Sequence, residues 1–304
     1  VNHNGDMKLA KALVDAAAEA GADAVKFQTF RTEDLVAAGT EMAEYQQANT
    51  GKRESQFDML KRLELSERQH FVLRDHCRKR GIEFLSTPHS GRDSLDLLGR
   101  VGVSAIKVAS GDLTNHPFLV QLAAKGRPVI LSTGMGSLAE VVEAVALLRG
   151  GGVSDLVVLQ CTTEYPCPPE GVNMKAMLSI GAACRTPVGF SDHTEGIEAG
   201  VLAVRLGAVL IEKHLTLDKA LPGPDHKASL EPEQFARFVR ALEAERRKPG
   251  SAAGIDESIF ARMLGSGEKL PTEAERRIAA VARKSVVTRR PVADGANVAA
   301  MIVM

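Results

Sequence analysis

The sequence lacks the features that would tie it to nucleic acid or to a membrane. Its 304 residues carry 38 Lys and Arg against 38 Asp and Glu, so the formal net charge is zero and no basic or acidic binding surface is predicted. No apolar run approaches the ~20 residues that a membrane-spanning helix needs. No basic segment followed by an apolar one opens the chain as a signal peptide would. These absences favour a globular enzyme or binding protein of small molecules.

The four cysteines also lack the paired spacing of a zinc site. Cys161 and Cys167 lie six positions apart, but no second pair completes a set of four ligands. Reduced thiols are therefore the simplest interpretation, and they predict a cytoplasmic protein.

What the sequence does have is a regular alternation of short apolar segments and amphipathic ones. Stretches such as 138–148 and 196–206 have apolar residues at helical spacing, and most of the short segments follow a stretch of this kind. This alternation is typical of an α/β fold with a parallel sheet. The predicted strands are 24–29, 82–87, 105–109, 129–132, 156–161, 188–191 and 209–214.

Polar residues follow nearly every predicted strand, one βα unit apart. An open doubly wound sheet would concentrate its chemistry at one switch point, whereas a ring of polar strand ends is typical of a TIM (β/α)8 barrel. We therefore predict a barrel over residues 1–246, whose first strand is expected before Val1. A linker is predicted over 247–277, and the start of a small β-rich unit over 278–304.

Two histidines are the candidate metal ligands. Strand alternation places Ser191 on the same face as His193, and Glu212 on the same face as His214. If the two strands are neighbours, ~4.8 Å apart, both imidazoles could reach one metal ion and leave positions open for water and substrate. Two unrelated histidines at the rim of a barrel are the alternative. Glu212 is either a base, a residue that supports a ligand, or the partner of a barrel lysine.

Lys26 and Lys107 lie inside otherwise apolar strands. A lysine that points into a barrel is costly unless an anion or a carboxylate compensates its charge. A phosphate or carboxylate ligand would do so, together with Ser110 and Ser132 and with backbone amides at helix starts. Pairing with Glu212 is one alternative, and a Schiff-base aldolase lysine is another.

Several further residues carry weaker signals. Tyr165 and Asp225 could bind sugar hydroxyls, although Tyr165 could equally pack over a proline and Asp225 could be a solvated loop carboxylate. His70 and His76 lie in a helical stretch, and we expect both at the surface.

A series of short motifs resembles, in order along nearly the whole chain, the sequences of the sialic acid synthase family. They are VNHNG at 1–5, AVKFQT at 24–29, LSTP at 85–88, IKVASGD at 106–112, ILSTGM at 130–135, CTTEYP at 161–166, FSDH at 190–193, EKHLTLD at 212–218 and GPDHKASL at 223–230. Members of that family have a barrel followed by a small antifreeze-like (SAF) domain. The segment ARKSVV at 282–287 resembles the start of that domain.

The resemblance implies the roles of individual residues. The divalent metal, expected to be Mn²⁺ with Mg²⁺ or Co²⁺ as alternatives, would be held by His193 and His214. The residues expected to take part in catalysis are His193, His214, Lys107 and Glu212. Those expected to hold phosphoenolpyruvate are Lys26, Thr87, Lys107, Ser110, Ser132, Thr163 and Ser191. Those expected to face the amino sugar are Gln28, Asn49, Tyr165 and Asp225.

The resemblance also implies a reaction. We expect a transferase that condenses phosphoenolpyruvate with N-acetylmannosamine and water, giving N-acetylneuraminate and phosphate. The alternatives are an N,N'-diacetyllegionaminate or related nonulosonate synthase, and a sugar-binding barrel without turnover. A homodimer is expected, in which the antifreeze-like domain reaches the neighbouring barrel. Two family features, a first-strand glutamate and an arginine of the antifreeze-like domain, are expected before Val1 and beyond Met304.

Overall fold

The described part of the chain contains one parallel sheet. The computed structural model describes residues 1–36, 54–89 and 91–285. The strands follow one another across the sheet in chain order, and each is parallel to the next. They are β1 Ala24–Thr29, β2 Glu83–Pro88, β3 Ile106–Val108, β4 Val129–Ser132, β5 Leu156–Gln160, β6 Val188–Asp192 and β7 Ile211–Lys213. All the strands predicted from the sequence are confirmed, close to their predicted ends.

Helices connect the strands, as the alternation predicts. The α-helices of the described residues are α1 Met7–Glu19, α2 Thr32–Leu35, α3 Gln56–Leu63, α4 Glu67–Arg80, α5 Gly91–Val101, α6 His116–Ala123, α7 Leu138–Gly150, α8 Lys175–Cys184, α9 Glu198–Arg205, α10 Pro232–Arg247, α11 Phe260–Leu264 and α12 Glu273–Ala282. Short 3-10 helices lie at Ser110–Asp112, Pro169–Gly171, His226–Ala228 and Glu257–Ile259. None of the described helices combines the length and the apolar composition needed to cross a membrane.

The helix ends are encoded locally. The helix α4 begins with a capping box between Ser66 and Gln69, and it ends at Gly81, whose φ of 69° is the left-handed conformation that glycine adopts easily. The helix α7 begins with the same kind of box, between Ser137 and Glu140. These short-range signals fix where α4 and α7 begin, and the box at Ser137 therefore fixes where the loop after β4 ends.

Residues near Val1 lie between the two edge strands of the described sheet. The Asn2 side chain donates to the carbonyl oxygen of Leu215, just after β7, at 2.8 Å. The ring of His3 lies 5.9 Å from that of Phe27 in β1. The first strand of the predicted barrel stays a prediction.

The core fills the space between the sheet and its helices. Its largest fully buried side chains include Phe190, Leu73, Leu95 and Leu131. Each such side chain stabilises the fold by roughly 1.5–3 kcal/mol relative to an exposed one. The segment predicted as a linker contributes to this packing, because Phe260 and Met263 of α11 belong to the cluster that surrounds Phe190.

One expectation about burial is wrong. His70 is completely buried rather than exposed, because it lies on the face of α4 that packs towards the sheet. Its Nε2 lies 2.9 Å from the hydroxyl of Thr29, and its Nδ1 lies 2.9 Å from the carbonyl oxygen of Ser66. Burial lowers its pKa. A polar ring with both nitrogens bonded can be buried at little cost, which helical spacing alone does not reveal. The other histidine, His76, is partly exposed.

The inner face of the sheet has no room for a side chain at Gly189. A Cβ there would lie 2.3 Å from the carbonyl oxygen of Leu210 and 2.6 Å from a methyl carbon of Leu159. We expect Gly189→Ala to lower the free energy of unfolding by about 1–3 kcal/mol, because the added methyl overpacks the interior. Urea denaturation measures this change. Gly150→Ala, where a Cβ meets no atom within 4 Å, is the matched control, and equal stability of the two variants would contradict the prediction.

Candidate active site

The polar residues predicted at the strand ends do converge. In a parallel barrel the loops at the carboxyl ends of the strands form the site. Register pairs Lys107 with Ile130 and Ser191 with Glu212, so alternation brings the inward-facing polar side chains together at this end. The sequence predicted that polar residues at the strand ends meet at one end of the barrel, which we call the mouth. Five of them do so there: Lys26, Lys107, Ser132, Ser191 and Glu212.

The carboxylate of Glu212 is the centre of this group. Its Oε2 lies 3.6 Å from the Nζ of Lys26 and 3.7 Å from that of Lys107, and its Oε1 accepts a hydrogen bond from the Ser191 hydroxyl at 2.9 Å. Lys107 is only 3% exposed, and its Nζ donates to the hydroxyl of Ser132 at 2.6 Å. Both lysines therefore pair with Glu212, which was one of the alternatives left open by the sequence. One carboxylate cannot neutralise two ammonium groups, so one positive charge remains for an anion.

The pKa values of this group follow from the same contacts. Burial raises the pKa of Glu212, but the charges of Lys107 and Lys26 outweigh burial and hold it well below its usual range. Burial lowers the pKa of Lys107, and Glu212 opposes that shift. Glu212 is therefore a fixed negative charge and a poor proton acceptor.

His193 and His214 lie side by side on neighbouring strands. Their ring centroids are 5.6 Å apart with an interplanar angle of 65°, and the ring of Tyr165 lies 4.2 Å from His193 and 5.8 Å from His214. The Nδ1 of His193 is 2.7 Å from the carbonyl oxygen of Thr162. A carbonyl can only accept, so Nδ1 carries the hydrogen and the Nε2 lone pair faces the mouth.

This pair fits a divalent metal. Burial lowers the pKa of both imidazoles, and the neighbouring His193 lowers that of His214 further, so both are neutral nitrogen donors. A hydrogen bond that orients the far nitrogen, as Thr162 provides, is the usual support of a ligating histidine. No group of three or more His, Cys, Asp or Glu suited to a metal occurs in the described part of the chain. The two histidines would leave open positions for substrate oxygens.

An ion pair on the opposite face of the sheet joins the two strands beside the histidines. Asp192 and Lys213 are register partners, and their charged groups lie 2.8 Å apart with both side chains almost fully buried. Lys213 also donates to the carbonyl oxygens of Thr194 and Gly196. The pair therefore ties β6 to β7 directly beside the residues that carry His193 and His214.

Two buried hydroxyls in the mouth have no partner in the described residues. They are those of Thr87 and Thr163. An unsatisfied buried hydroxyl costs about 1–3 kcal/mol, so a water molecule or a ligand that bonds to these two hydroxyls would stabilise the site. The hydroxyl of Ser110 accepts from the amide of Gly134 at 2.9 Å and lies 3.3 Å from the thiol of Cys161. Sequence analysis assigned Thr87, Ser110 and Thr163 to one anion, and the structure places them at the same end of the sheet.

The residues predicted to face a sugar are placed less uniformly. Tyr165 packs against both histidines. Gln28 shares the inward face of β1 with Lys26, opposite Thr87. Asp225 lies in the loop after β7, where burial raises the pKa of its carboxyl group. Asn49 lies outside the described residues.

Sequence reasoning missed three charged residues beyond the last barrel helix. Lys269 is 3% exposed and Glu275 is 1% exposed, and both reach backbone groups at the ends of β4 and β5, as does Arg283. The only local signal was the capping box between Thr272 and Glu275. A capping glutamate is usually exposed, so the motif gave no sign that this one enters the mouth.

Similarity to known proteins places the chain in a family. Residues 13–253 match the model of the NeuB family. The chain belongs to the NeuB family. This confirms the resemblance to sialic acid synthases that the motifs indicated.

Three relatives illustrate the range of the match. The chain is 46% identical to the N,N'-diacetyllegionaminic acid synthase of Legionella pneumophila over 98% of this chain and 80% of that protein. It is 35% identical to the human N-acetylneuraminate-9-phosphate synthase over 82% of this chain and 69% of that protein. The crystal structure of a sialic acid synthetase from Leptospira borgpetersenii superposes with a TM-score of 0.74 at 30% identity, covering 92% of this chain and 87% of that one.

Proposed function

We propose that this NeuB-family protein is a transferase that condenses phosphoenolpyruvate with an amino-sugar aldehyde to form an N,N'-diacetyllegionaminate-type nonulosonic acid. The observation that carries the reaction type is the Glu212 centre, with its two lysines, beside the histidine pair. The choice of product rests on the 46% identity to a diacetyllegionaminate synthase, against 35% to an N-acetylneuraminate-9-phosphate synthase. The sequence alone favoured N-acetylneuraminate, and the relatives now favour the alternative.

Lys26 and Lys107 would hold the anionic groups of phosphoenolpyruvate. Because Glu212 neutralises only one of them, these three side chains keep a net positive charge in a partly dehydrated setting, where it acts strongly on an anion. The hydroxyls of Thr87 and Thr163 would gain the partners that they lack, and Ser110, Ser132 and Ser191 complete the set. Lys107, Ser132, Ser110 and Ser191 are held by other contacts before substrate arrives, which is what electrostatic preorganisation requires.

His193 and His214 would hold the divalent metal, for which we propose Mn²⁺. Bound there, a divalent ion would polarise the aldehyde oxygen of the open-chain sugar. The residues of the chain supply the positioning, with His193 oriented by Thr162 and with Tyr165 packed over both rings.

The proposed bond changes balance. The methylene carbon of phosphoenolpyruvate forms a bond to the aldehyde carbon, and the aldehyde oxygen takes up a proton and becomes a hydroxyl. Water adds to the enol carbon and loses one proton, which balances the proton taken up by the aldehyde oxygen. Phosphate then leaves by carbon–oxygen cleavage, while the new hydroxyl becomes the carbonyl of the 2-keto acid and gives its remaining proton to the phosphate. Lys26 and Lys107 offset the charge of the departing phosphate throughout. Glu212 stays ionised, so its role is to space the two lysines and to hold Ser191.

A panel of aldehyde sugars tests the proposal. The protein, phosphoenolpyruvate and Mn²⁺ are mixed with N-acetylmannosamine, its 6-phosphate, or a 2,4-diacetamido-2,4,6-trideoxyhexose, and phosphate release is measured. We expect the diacetamido sugar to give the highest kcat/KM. The more similar relative makes N,N'-diacetyllegionaminic acid, and a product with two acetamido groups needs a sugar that carries both. Preference for N-acetylmannosamine would restore the neuraminate interpretation, and silence with every sugar would favour a binding protein without turnover.

A further inference from the structure

The segment after α10 contributes a buried carboxylate to the mouth of the barrel. Glu275, near the start of α12, is 1% exposed. Its Oε1 accepts hydrogen bonds from the amides of Met135 at 2.7 Å and Thr163 at 2.9 Å, and its Oε2 accepts from the amide of Thr272 at 3.0 Å. Three amide donors on one carboxylate make strong, charge-assisted contacts. Two of them join the loop after β4 to the loop after β5.

Met135 is held at both of its backbone polar groups. Its φ of 61° is left-handed, a conformation that side chains other than those of glycine, asparagine and aspartate rarely adopt. Glu275 binds its amide, and Arg283 donates from Nη2 to its carbonyl oxygen at 2.9 Å. Arg283 also pairs with Glu140, in the first turn of α7, at 2.9 Å. A disfavoured backbone conformation persists where the surroundings hold it, and here α12 and the residue after it do so.

The residues next to Met135 are also tightly packed. Gly134, next to Met135, donates to the hydroxyl of Ser110, and a Cβ on Gly134 would lie 2.1 Å from the Thr163 hydroxyl oxygen. Two residues before Gly134, Ser132 accepts from Lys107. A small shift of Met135 would therefore displace Ser132, Ser110 and Thr163 together, and these are the hydroxyls assigned to phosphoenolpyruvate.

We propose that Glu275 and Arg283 are positioning residues for the phosphoenolpyruvate site, which makes the segment after the barrel a working part of that site. The proposal rests on the proposed function. Both oxygens of Glu275 are occupied by backbone amides, so it acts through the two loops rather than on the substrate. A backbone contact also joins this segment to the start of α7, since the carbonyl oxygen of Lys269 accepts from the amide of Leu138 at 2.9 Å.

Glu275→Ala and Arg283→Met test the proposal. We expect each to raise KM for phosphoenolpyruvate on the order of 10-fold or more, as is usual for residues that orient others, while KM for the sugar changes less than about twofold. Glu275→Gln keeps an oxygen for the two loop amides and should restore most of the affinity. Hydrogen exchange at the amides of Met135 and Thr163 should accelerate in Glu275→Ala. Arg283→Met removes the contacts to Met135 and Glu140 but leaves those of Glu275 in place, so it stays informative if Glu275→Ala folds poorly.

Glu245→Ala is the matched control. Glu245 is another buried carboxylate that accepts a backbone amide, that of Gly250, but it lies near the end of α10, at the opposite end of the barrel. A comparable loss of thermal stability with an unchanged KM for phosphoenolpyruvate is expected. If Glu275→Ala and Glu245→Ala change both KM values alike, or if exchange at Met135 and Thr163 stays slow in Glu275→Ala, the positioning role is wrong.

Calorimetric titration with phosphoenolpyruvate separates this inference from the function on which it rests. Binding by the wild-type protein without phosphate release from any sugar overturns only the proposed function, and the dissociation constants of the variants then decide the positioning role. If the wild-type protein does not bind phosphoenolpyruvate, both proposals are wrong.

Discussion

Replacing His214 with alanine should lower metal-dependent phosphate release by about 10²–10³-fold, the usual loss when one group that stabilises developing charge is removed. The described residues offer two imidazoles and no third metal-binding side chain beside them. A single remaining imidazole cannot fix an ion in position, so the variant should lose bound metal as well as activity. Mn²⁺ binding followed by electron paramagnetic resonance measures the first effect, and phosphate release measures the second.

His193→Ala should behave in the same way, because the two rings lie 5.6 Å apart and would share one ion. His76→Ala is the control. His76 lies on the outer helix α4, where its Nε2 is bonded to Asp15 at 2.8 Å, and its loss should change neither Mn²⁺ binding nor turnover. If His214→Ala released phosphate at the full rate with Mn²⁺, the proposal that His193 and His214 hold a metal needed for the reaction would be wrong.

The fold could be predicted because its signals are local. Each strand is a short apolar segment between turn residues, and polar residues such as Ser132 and His193 mark the strand ends. Alternation then places His193 and Glu212 on the inner face without knowledge of any distant contact. The histidine pair follows from the same rule, applied to neighbouring strands. The contacts of Glu212 with Lys26 and Lys107 also require the curvature of the sheet, because β1, β3 and β7 are not neighbours in it.

The rest could not be predicted because it depends on contacts between distant residues. Glu275 lies 140 positions from Met135 and 112 from Thr163, and nothing in the capping box at Thr272 indicates which surface the helix will cover. His70 shows the same limit, since its burial depends on a hydroxyl in β1, 41 residues away. The sugar is a third case, because sequence motifs common to the family do not distinguish its substrates.

The second large effect is expected at Lys107. We expect Lys107→Met to reduce kcat/KM for phosphoenolpyruvate by about 10–100-fold, the value of one hydrogen bond to a charged group in a partly dehydrated site. The substitution removes the net positive charge of the centre, because Glu212 is then neutralised by Lys26 alone. It also removes the donor to Ser132. The methionine side chain fills similar space, so the fold should survive.

Lys107→Arg should not restore activity, because a planar guanidinium cannot occupy the position of an ammonium group that already contacts Ser132 at 2.6 Å and the carbonyl oxygen of Val108 at 3.1 Å. Lys125→Met is the control, since Lys125 lies in the turn after α6, where it pairs with Asp96 of the outer helix α5, outside the mouth. Borohydride treatment with pyruvate decides between the two uses of a buried lysine. Trapping of a covalent adduct on Lys107 would identify a Schiff-base aldolase, whereas the synthase requires the amine to stay charged and leaves nothing to trap.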